Sequence, residues 1–86
     1  MLTQRRSFSL VAMPNGILAI GGHDGKNYLS NVEAFNYSSK KWIKLMNMNQ
    51  ARCTHSAIVS RDFQEVWVSG GFAHEALKSI EVFDLN

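Results

Sequence analysis

Side chains that could do chemistry are few in this chain of 86 residues, which has one cysteine, three histidines and seven carboxylates. Cys53 and His55 are separated by a single residue, so on a β-strand they would project to the same side as a possible nucleophile and base. The sequence offers no orienting third group and no oxyanion hole for such a pair, which favours two ordinary strand residues. A lone cysteine also excludes an internal disulfide and fits a reducing compartment. We therefore predict no catalytic residue.

The histidines do not have the spacing of a metal site. His23, His55 and His74 are far apart in the sequence, whereas metal-binding histidines are typically separated by only a few residues. The glycine-rich segment 21–25 follows an apolar stretch, as a phosphate-binding loop would. However, it lacks the Gly-x₄-Gly-Lys-Ser/Thr pattern, and no helix is predicted after it. We therefore predict neither a metal nor a cofactor.

Charge and hydropathy narrow the class of protein further. The net charge of +2 is too small to indicate a nucleic-acid partner, and no apolar stretch approaches the roughly 20 residues of a membrane span. No signal peptide is evident, so we predict a cytoplasmic protein. Residues 1–61 carry a net charge of +6 and residues 62–86 a net charge of −4. This asymmetry either draws copies together head to tail or marks two solvated surfaces.

Two similar units follow each other along the chain. Segment 17–22 returns as 66–71, and segment 29–35 returns as 77–83. The offset between the units changes slightly at the turns, which is where insertions accumulate in structural repeats.

Each unit has the pattern of short strands separated by turn residues. Apolar residues show no sustained helical spacing, so we expect almost no helix. Strands of this length with frequent turns are typical of an all-β sandwich, barrel or propeller. The strands predicted in the first unit are 8–12, 17–20, 32–35 and 42–45.

A family resemblance rests on glycine pairs and aromatic residues at recurring positions. In each unit a glycine pair ends an apolar strand and a phenylalanine follows, and in the first unit a tryptophan comes after it. With a period of roughly 50 residues, this pattern resembles the kelch repeat, which forms one blade of a kelch β-propeller. The family more often has tyrosine at the position of the phenylalanines. The motif residues are Gly21, Gly22, Phe35 and Trp42, then Gly70, Gly71 and Phe83.

The resemblance implies an all-β, partial kelch β-propeller. Residues 1–4 would be an inter-blade link, 5–47 a complete four-stranded blade and 48–86 a second blade. The second blade would lack its fourth strand, because the counterpart of Trp42 would fall beyond Asn86. Blades are stabilised by packing on their neighbours. We therefore expect either a fragment of a longer propeller or self-association that completes one.

The resemblance also implies a non-enzymatic role in binding a protein partner, as in ubiquitin-ligase substrate adaptors or actin-associated proteins. In such domains, residues ahead of the innermost strand and after the glycine pair line the binding face. Arginine there suits acidic partners, because a guanidinium binds carboxylates in a bidentate manner. For Arg52 a structural bond to a neighbouring loop is the open alternative, and His55 could point into the same region. The expected binding residues are Arg5, Arg52, His23, Asp24 and Phe72.

Lysines surround Trp42 in the strand that the resemblance places outermost. Lys40, Lys41 and Lys44 could form a nucleic-acid patch with it, or they could discourage unwanted pairing at a sheet edge. We favour the second interpretation and predict no nucleic-acid partner. The tryptophans and the two motif phenylalanines are expected in the core between blades.

Two other interpretations stay open. The chain could be a truncated fragment with no independent activity. It could also form part of a kelch-like propeller enzyme, such as a sugar mutarotase or a copper oxidase, although no set of acid, base or ligand residues is evident.

Overall fold

The computed structural model describes residues 4–85, which form two antiparallel sheets. The first sheet, here called blade 1, has the strand order β1-β2-β3-β4, and the second, blade 2, has the order β5-β6-β7. The strands of blade 1 are β1 Ser9–Met13, β2 Gly16–Ile20, β3 Val32–Asn36 and β4 Lys41–Lys44. Those of blade 2 are β5 Ser56–Val59, β6 Glu65–Ser69 and β7 Ile80–Asp84.

The all-β prediction is confirmed, since no helix occurs in the described range. The four strands predicted in the first unit are all present, with ends that differ slightly from those predicted. β1 lies one position later than predicted and β4 one position earlier. β2 begins one residue earlier than predicted, and β3 ends one residue later. The bounds of the two repeats, 5–47 and 48–86, stay a prediction. Of the residues described, none belongs to a helix long and apolar enough to cross a membrane.

The hairpin between β1 and β2 follows from local turn chemistry. Met13 pairs with Gly16, so Pro14 and Asn15 alone make the connection. Proline fixes φ for a tight turn, and asparagine is favoured beside it. Gly16 needs to be glycine because a Cβ there would overlap the backbone carbonyl of Phe35 on the neighbouring strand.

The hydrophobic core lies between the two blades. Alternate residues of the strands that contribute to it point to it, as the period of two in a β-strand requires, and β4 contributes none. From blade 1 the buried residues include Val11 and Leu18, and from blade 2 Val66 and Val68, all at most 5% exposed. Phe83 is partly buried and packs against this cluster. The core is therefore an interface between sheets, the arrangement expected for propeller blades.

The glycine pairs allow the backbone to approach neighbouring segments closely. Gly22 has a φ of +106°, and a Cβ there would lie 2.6 Å from the carbonyl oxygen of Arg6. Gly71 has a φ of +93°, and its Cβ would lie 2.5 Å from the carbonyl oxygen of Cys53. Residues with side chains rarely adopt such φ values, so both glycines are required by the structure.

The segment between the blades is fixed by hydrogen bonds to blade 1. The N–H of Met48 donates to the carbonyl of Ser30 at 2.8 Å, and the N–H of Gly22 donates to the carbonyl of Arg52 at 2.8 Å. The hydroxyl of Ser9 donates to the carbonyl of His55 at 3.0 Å. These bonds hold the loops of both blades at a common face.

Candidate functional site

Each blade is preceded by an arginine whose side chain is buried. The side chains of Arg5 and Glu33 are both fully buried. The Nη2 of Arg5 lies 3.0 Å from the Oε1 of Glu33. Its Nη1 donates to the carbonyl oxygens of Gly21 at 2.9 Å and Asn31 at 3.1 Å. Burial lowers the pKa of Arg5, and the negative charge of Glu33 opposes this change. The guanidinium thus joins the glycine pair to the start of β3.

Arg52 makes the same arrangement in blade 2. Its Nη1 donates to the carbonyl oxygens of Gly70 at 2.9 Å and Ser79 at 3.1 Å, and its Nη2 donates to the Oε2 of Glu81 at 3.1 Å. The carboxylate of Glu81 also accepts from the backbone N–H of Asn49 at 2.7 Å and of Gln50 at 2.8 Å. We call the two Arg–Glu pairs the arginine clamps.

Two of the binding residues expected from the sequence, Arg5 and Arg52, belong to the arginine clamps. Arg52 has no exposed side-chain surface, and Arg5 has none either. Their donors bind this chain's own carbonyls and carboxylates, which is the structural role left open for Arg52. Neither guanidinium is accessible to a partner in this conformation. Glu33 and Glu81 were missed, although Glu33 recurs as Glu81 just as Arg5 recurs as Arg52, which was a usable signal.

A group of four rings lies at the common face of the two blades. The ring of Tyr28 is central, with its centroid 4.9 Å from that of His23 and 4.8 Å from that of His74. The ring centroid of Phe72 lies 5.9 Å from that of Tyr28. All three contacts are edge-to-face, a favourable geometry for aromatic rings. We call these four residues the ring cluster.

The ring cluster combines loops from both blades. His23 pairs with Arg6 and with Tyr28 in isolated antiparallel bridges, and Phe72 pairs in the same way with Cys53. The mutual N–H to carbonyl bonds of His23 and Arg6, both 2.9 Å, fix the first loop. The two loops that follow the glycine pairs therefore meet at Tyr28.

Polar groups fix the loop beside the ring cluster. The Nδ1 of His23 accepts from the N–H of Gly25 at 2.9 Å. The Oδ1 of Asp24 accepts from the N–H groups of Asn27 at 2.7 Å and Lys26 at 2.9 Å. These backbone hydrogen bonds lower the pKa of Asp24, because they stabilise its charged form. Asp24 is thus a structural residue of the loop as well as an exposed charge.

The ring cluster is open to solvent and suited to binding. Phe72 is 39% exposed, His74 is exposed, and His23 and Tyr28 are half-buried. A cleft of about 310 Å³ lies next to His23 and is also lined by the exposed Arg6. Over residues 4–85, no group of three or more His, Cys, Asp or Glu side chains is placed to hold a metal ion. The arrangement presents rings and charges, which can recognise a surface.

The possible nucleophile and base are not on a strand. Cys53 and His55 precede β5, and Thr54 between them has a φ of +49°, so the expectation that they share one side of a strand is wrong. Cys53 is buried. His55 is only 9% exposed, and within the described part of the chain neither ring nitrogen makes a hydrogen bond. Burial lowers the pKa of His55, the nearby backbone of Ile20 opposes this change, and the positive charge of Arg52 adds to it.

The structure brings together three of the five expected binding residues. His23 and Phe72 belong to the ring cluster, and Asp24 lies in the same loop as His23. Tyr28 and His74, the other two members of the ring cluster, were not among the expected residues. Their position shortly after the glycine pairs was a signal for the loops, but not for a contact between loops of different blades.

The aromatic residues expected in the core divide into two groups. Phe83 packs against the core, but Trp67 is 45% exposed on the opposite side of β6. Phe35 and Trp42 are half-buried, with ring centroids 5.2 Å apart, and neither of them belongs to the core between the blades. Within the single chain Trp67 therefore lies outside the core, because its strand position turns it away from blade 1.

Comparison with known proteins agrees with the family resemblance of the first unit. The family model for the Kelch motif matches residues 4–49, which is more than half of the chain. Among curated proteins, none matches the chain.

Proposed function

The chain belongs to the kelch family, and on that premise we propose that it is a non-enzymatic protein-recognition module whose ring cluster binds a partner protein. Kelch repeats generally mediate protein–protein interaction. The observation that carries the proposal is the meeting of His23, Tyr28, Phe72 and His74 on one solvent-exposed face.

The composition of the ring cluster supports this role. Aromatic side chains supply much of the binding energy at protein interfaces, because they bury a large area with little loss of conformational freedom. Tyr28 contacts three other rings. A partner would therefore meet a surface that is already ordered, which reduces the entropic cost of binding.

We propose that the exposed Arg6, rather than the buried Arg5 or Arg52, pairs with an acidic partner. Its side chain is exposed and lines the cleft beside His23. A partner carboxylate there would accept charge-assisted hydrogen bonds from the guanidinium. We expect a partner segment with an apolar or aromatic residue for the ring cluster and an acidic residue for Arg6.

The wider setting is also a proposal. Recruitment of substrates to a ubiquitin ligase and association with actin are both compatible with a recognition face of this kind, and we place the protein in the cytoplasm. We also retain the prediction that copies associate to complete a propeller. The alternatives of an inactive fragment and of a propeller enzyme have no specific observation in their favour within residues 4–85.

Site-specific photo-cross-linking tests the proposed function. A photoreactive phenylalanine analogue replaces Phe72 in one variant and Phe63 in another; the two positions are 39% and 40% exposed, so position 63 is a matched control. We expect a discrete cross-linked protein from position 72 but not from position 63, and its loss when Tyr28→Ala is added. Equal cross-linking from both positions would contradict the proposal.

A further inference from the structure

Blade 2 exposes an apolar face on the side away from blade 1. Ile58 pairs with Trp67, and Trp67 pairs with Val82 across the three strands. The exposed fractions are 67% for Ile58, 45% for Trp67, 63% for Ile80 and 45% for Val82. We call these four residues the front face of blade 2. Exposed apolar side chains that are contiguous on one sheet indicate an interaction surface.

The repeat relates this face to one that is covered within the chain. Aligning the two units places the front face of blade 2 in correspondence with four residues of blade 1. Three of these, Val11, Leu18 and Val32, are at most 5% exposed, and the fourth is partly buried. Blade 2 is what covers them. The equivalent residues are Val11, Leu18, Val32 and Ala34.

The covering face of blade 2 also has its equivalent in blade 1. In blade 2 it is formed by Ala57, Val66, Val68 and Phe83, which lie in or against the core. The same repeat positions in blade 1 are here called the back face of blade 1, and they are Leu10, Ile17, Ala19 and Phe35. Leu10 is 57% exposed, Ile17 and Phe35 are half-buried, and Ala19 is buried.

We propose that a second copy of this chain stacks the back face of its blade 1 on the front face of blade 2. The chain itself displays the pairing of these two kinds of face in its own core. The inference rests on the self-association included in the proposed function, to which it assigns surfaces. It is independent of the ring cluster, whose failure to bind a partner would leave it intact.

Charge favours the same pairing. Residues 5–47 contain six Lys or Arg and two Asp or Glu, whereas residues 48–86 contain three and five. Stacking the first repeat of one copy on the second repeat of another therefore brings opposite net charges together. The association should weaken as the salt concentration rises, because exposed charges are screened.

The geometry predicts an assembly that can extend beyond a dimer. The two faces differ, so the contact is heterologous and repeats until the ring closes or a filament forms. A blade that is not part of residues 1–86 is the competing occupant of the front face.

Two variants test the assigned faces by complementation. Leu10→Glu damages only the back face, and Trp67→Glu damages only the front face. Each variant alone should bind itself at least tenfold more weakly than the wild-type chain. An equimolar mixture retains one intact front face and one intact back face, so it should form a dimer that cannot extend. Sedimentation velocity against concentration, relative to the 9.7 kDa monomer, measures each result.

Matched controls separate this inference from misfolding and from partner binding. Ile43→Glu alters a residue that is 57% exposed, as Leu10 is, but lies outside both faces; it should associate as the wild-type chain does. Tyr28→Ala in the ring cluster should also associate normally. If the single variants unfold, mixing should restore the far-UV circular dichroism of a β-sheet. A wild-type chain that stays monomeric, or a mixture that stays monomeric, would overturn the inference.

Discussion

The arginine clamps and the ring cluster are close together at the loops but are built in opposite ways. The clamps bury charge: the side chains of Arg5, Glu33 and Arg52 have no exposed surface. The ring cluster exposes aromatic rings, as the 39% exposure of Phe72 shows. Residue type alone would suggest the reverse, with charges outside and rings inside. In this chain the buried ion pairs stabilise the blades. The rings have no part in those pairs and stay exposed to solvent.

Truncating an arginine clamp should cause the largest loss in the free energy of unfolding. Arg52→Ala leaves Glu81 without its cationic partner and also removes the donors to Gly70 and Ser79. Breaking a buried ion pair typically costs about 3–5 kcal/mol of unfolding free energy, which is a large fraction of the roughly 5–15 kcal/mol typical of a domain. Urea denaturation of Arg52→Ala, compared with the exposed Arg6→Ala, measures the difference. A loss below about 1 kcal/mol would show that the clamp does not hold the fold.

Adding a methyl group to a glycine pair should have the next largest effect. In Gly22→Ala the new Cβ would lie 2.6 Å from the carbonyl oxygen of Arg6, in a backbone with a φ of +106°. Gly25→Ala is the matched control, because Gly25 has a φ of +102° but no neighbouring segment within 4 Å of its new methyl group. Both variants carry a conformational cost of about 1 kcal/mol or more, but only Gly22→Ala adds the overlap. Equal melting temperatures would contradict this account of the loop.

Acidification should lower the free energy of unfolding of the chain through His55. Burial lowers the pKa of His55 in the folded chain below its ordinary value of 6.5. As the pH falls, the unfolded chain binds a proton at His55 more readily than the folded chain does. The free energy of unfolding is therefore unaffected by this group above about pH 6.5 and decreases as the pH is lowered below it. The slope is at most about 1.4 kcal/mol per pH unit for one group.

Substitution of His55 checks this assignment. His55→Gln should flatten the dependence of the unfolding free energy on pH between about pH 5 and 6.5. An unaltered slope in His55→Gln would assign the effect to another group.

Removing the central ring should have the smallest effect on stability and a large effect on binding. Tyr28→Ala should reduce the unfolding free energy by about 1 kcal/mol, since Tyr28 is only half-buried. Partner binding, followed by cross-linking from position 72, should be lost. Unfolding of Tyr28→Ala would place Tyr28 with the structural residues and remove the distinction between the two regions.

Much of the fold could be predicted from the sequence, because its signals are local. The turn at Pro14 and Asn15, the glycine pairs and the recurring apolar segments identify the strands and the repeat. The exact ends of the strands were less certain, since a strand end depends on pairing with its neighbour. The exposure of Trp67 depends on which of the two sides of β6 meets blade 1.

The candidate site could be predicted only in part. The loops after the glycine pairs were identified, with His23 and Phe72 among their residues. The contact of Tyr28 with His74 depends on the relative placement of two blades, for which the sequence carries no local signal. The burial of Arg52 likewise depends on tertiary structure, because an arginine has the same appearance in a sequence whether it meets a partner or a glutamate of its own chain.

Hydrogen–deuterium exchange of the full chain, alone and with the protein cross-linked from position 72, tests the central claim most directly. The account predicts that partner binding protects the loops 22–28 and 71–76, which carry the ring cluster. Segments that contain the arginine clamps should already exchange slowly without the partner and change little. Protection confined to β4 or to the turn at Pro14, with the two loops unchanged, would contradict the claim that the ring cluster is the recognition surface.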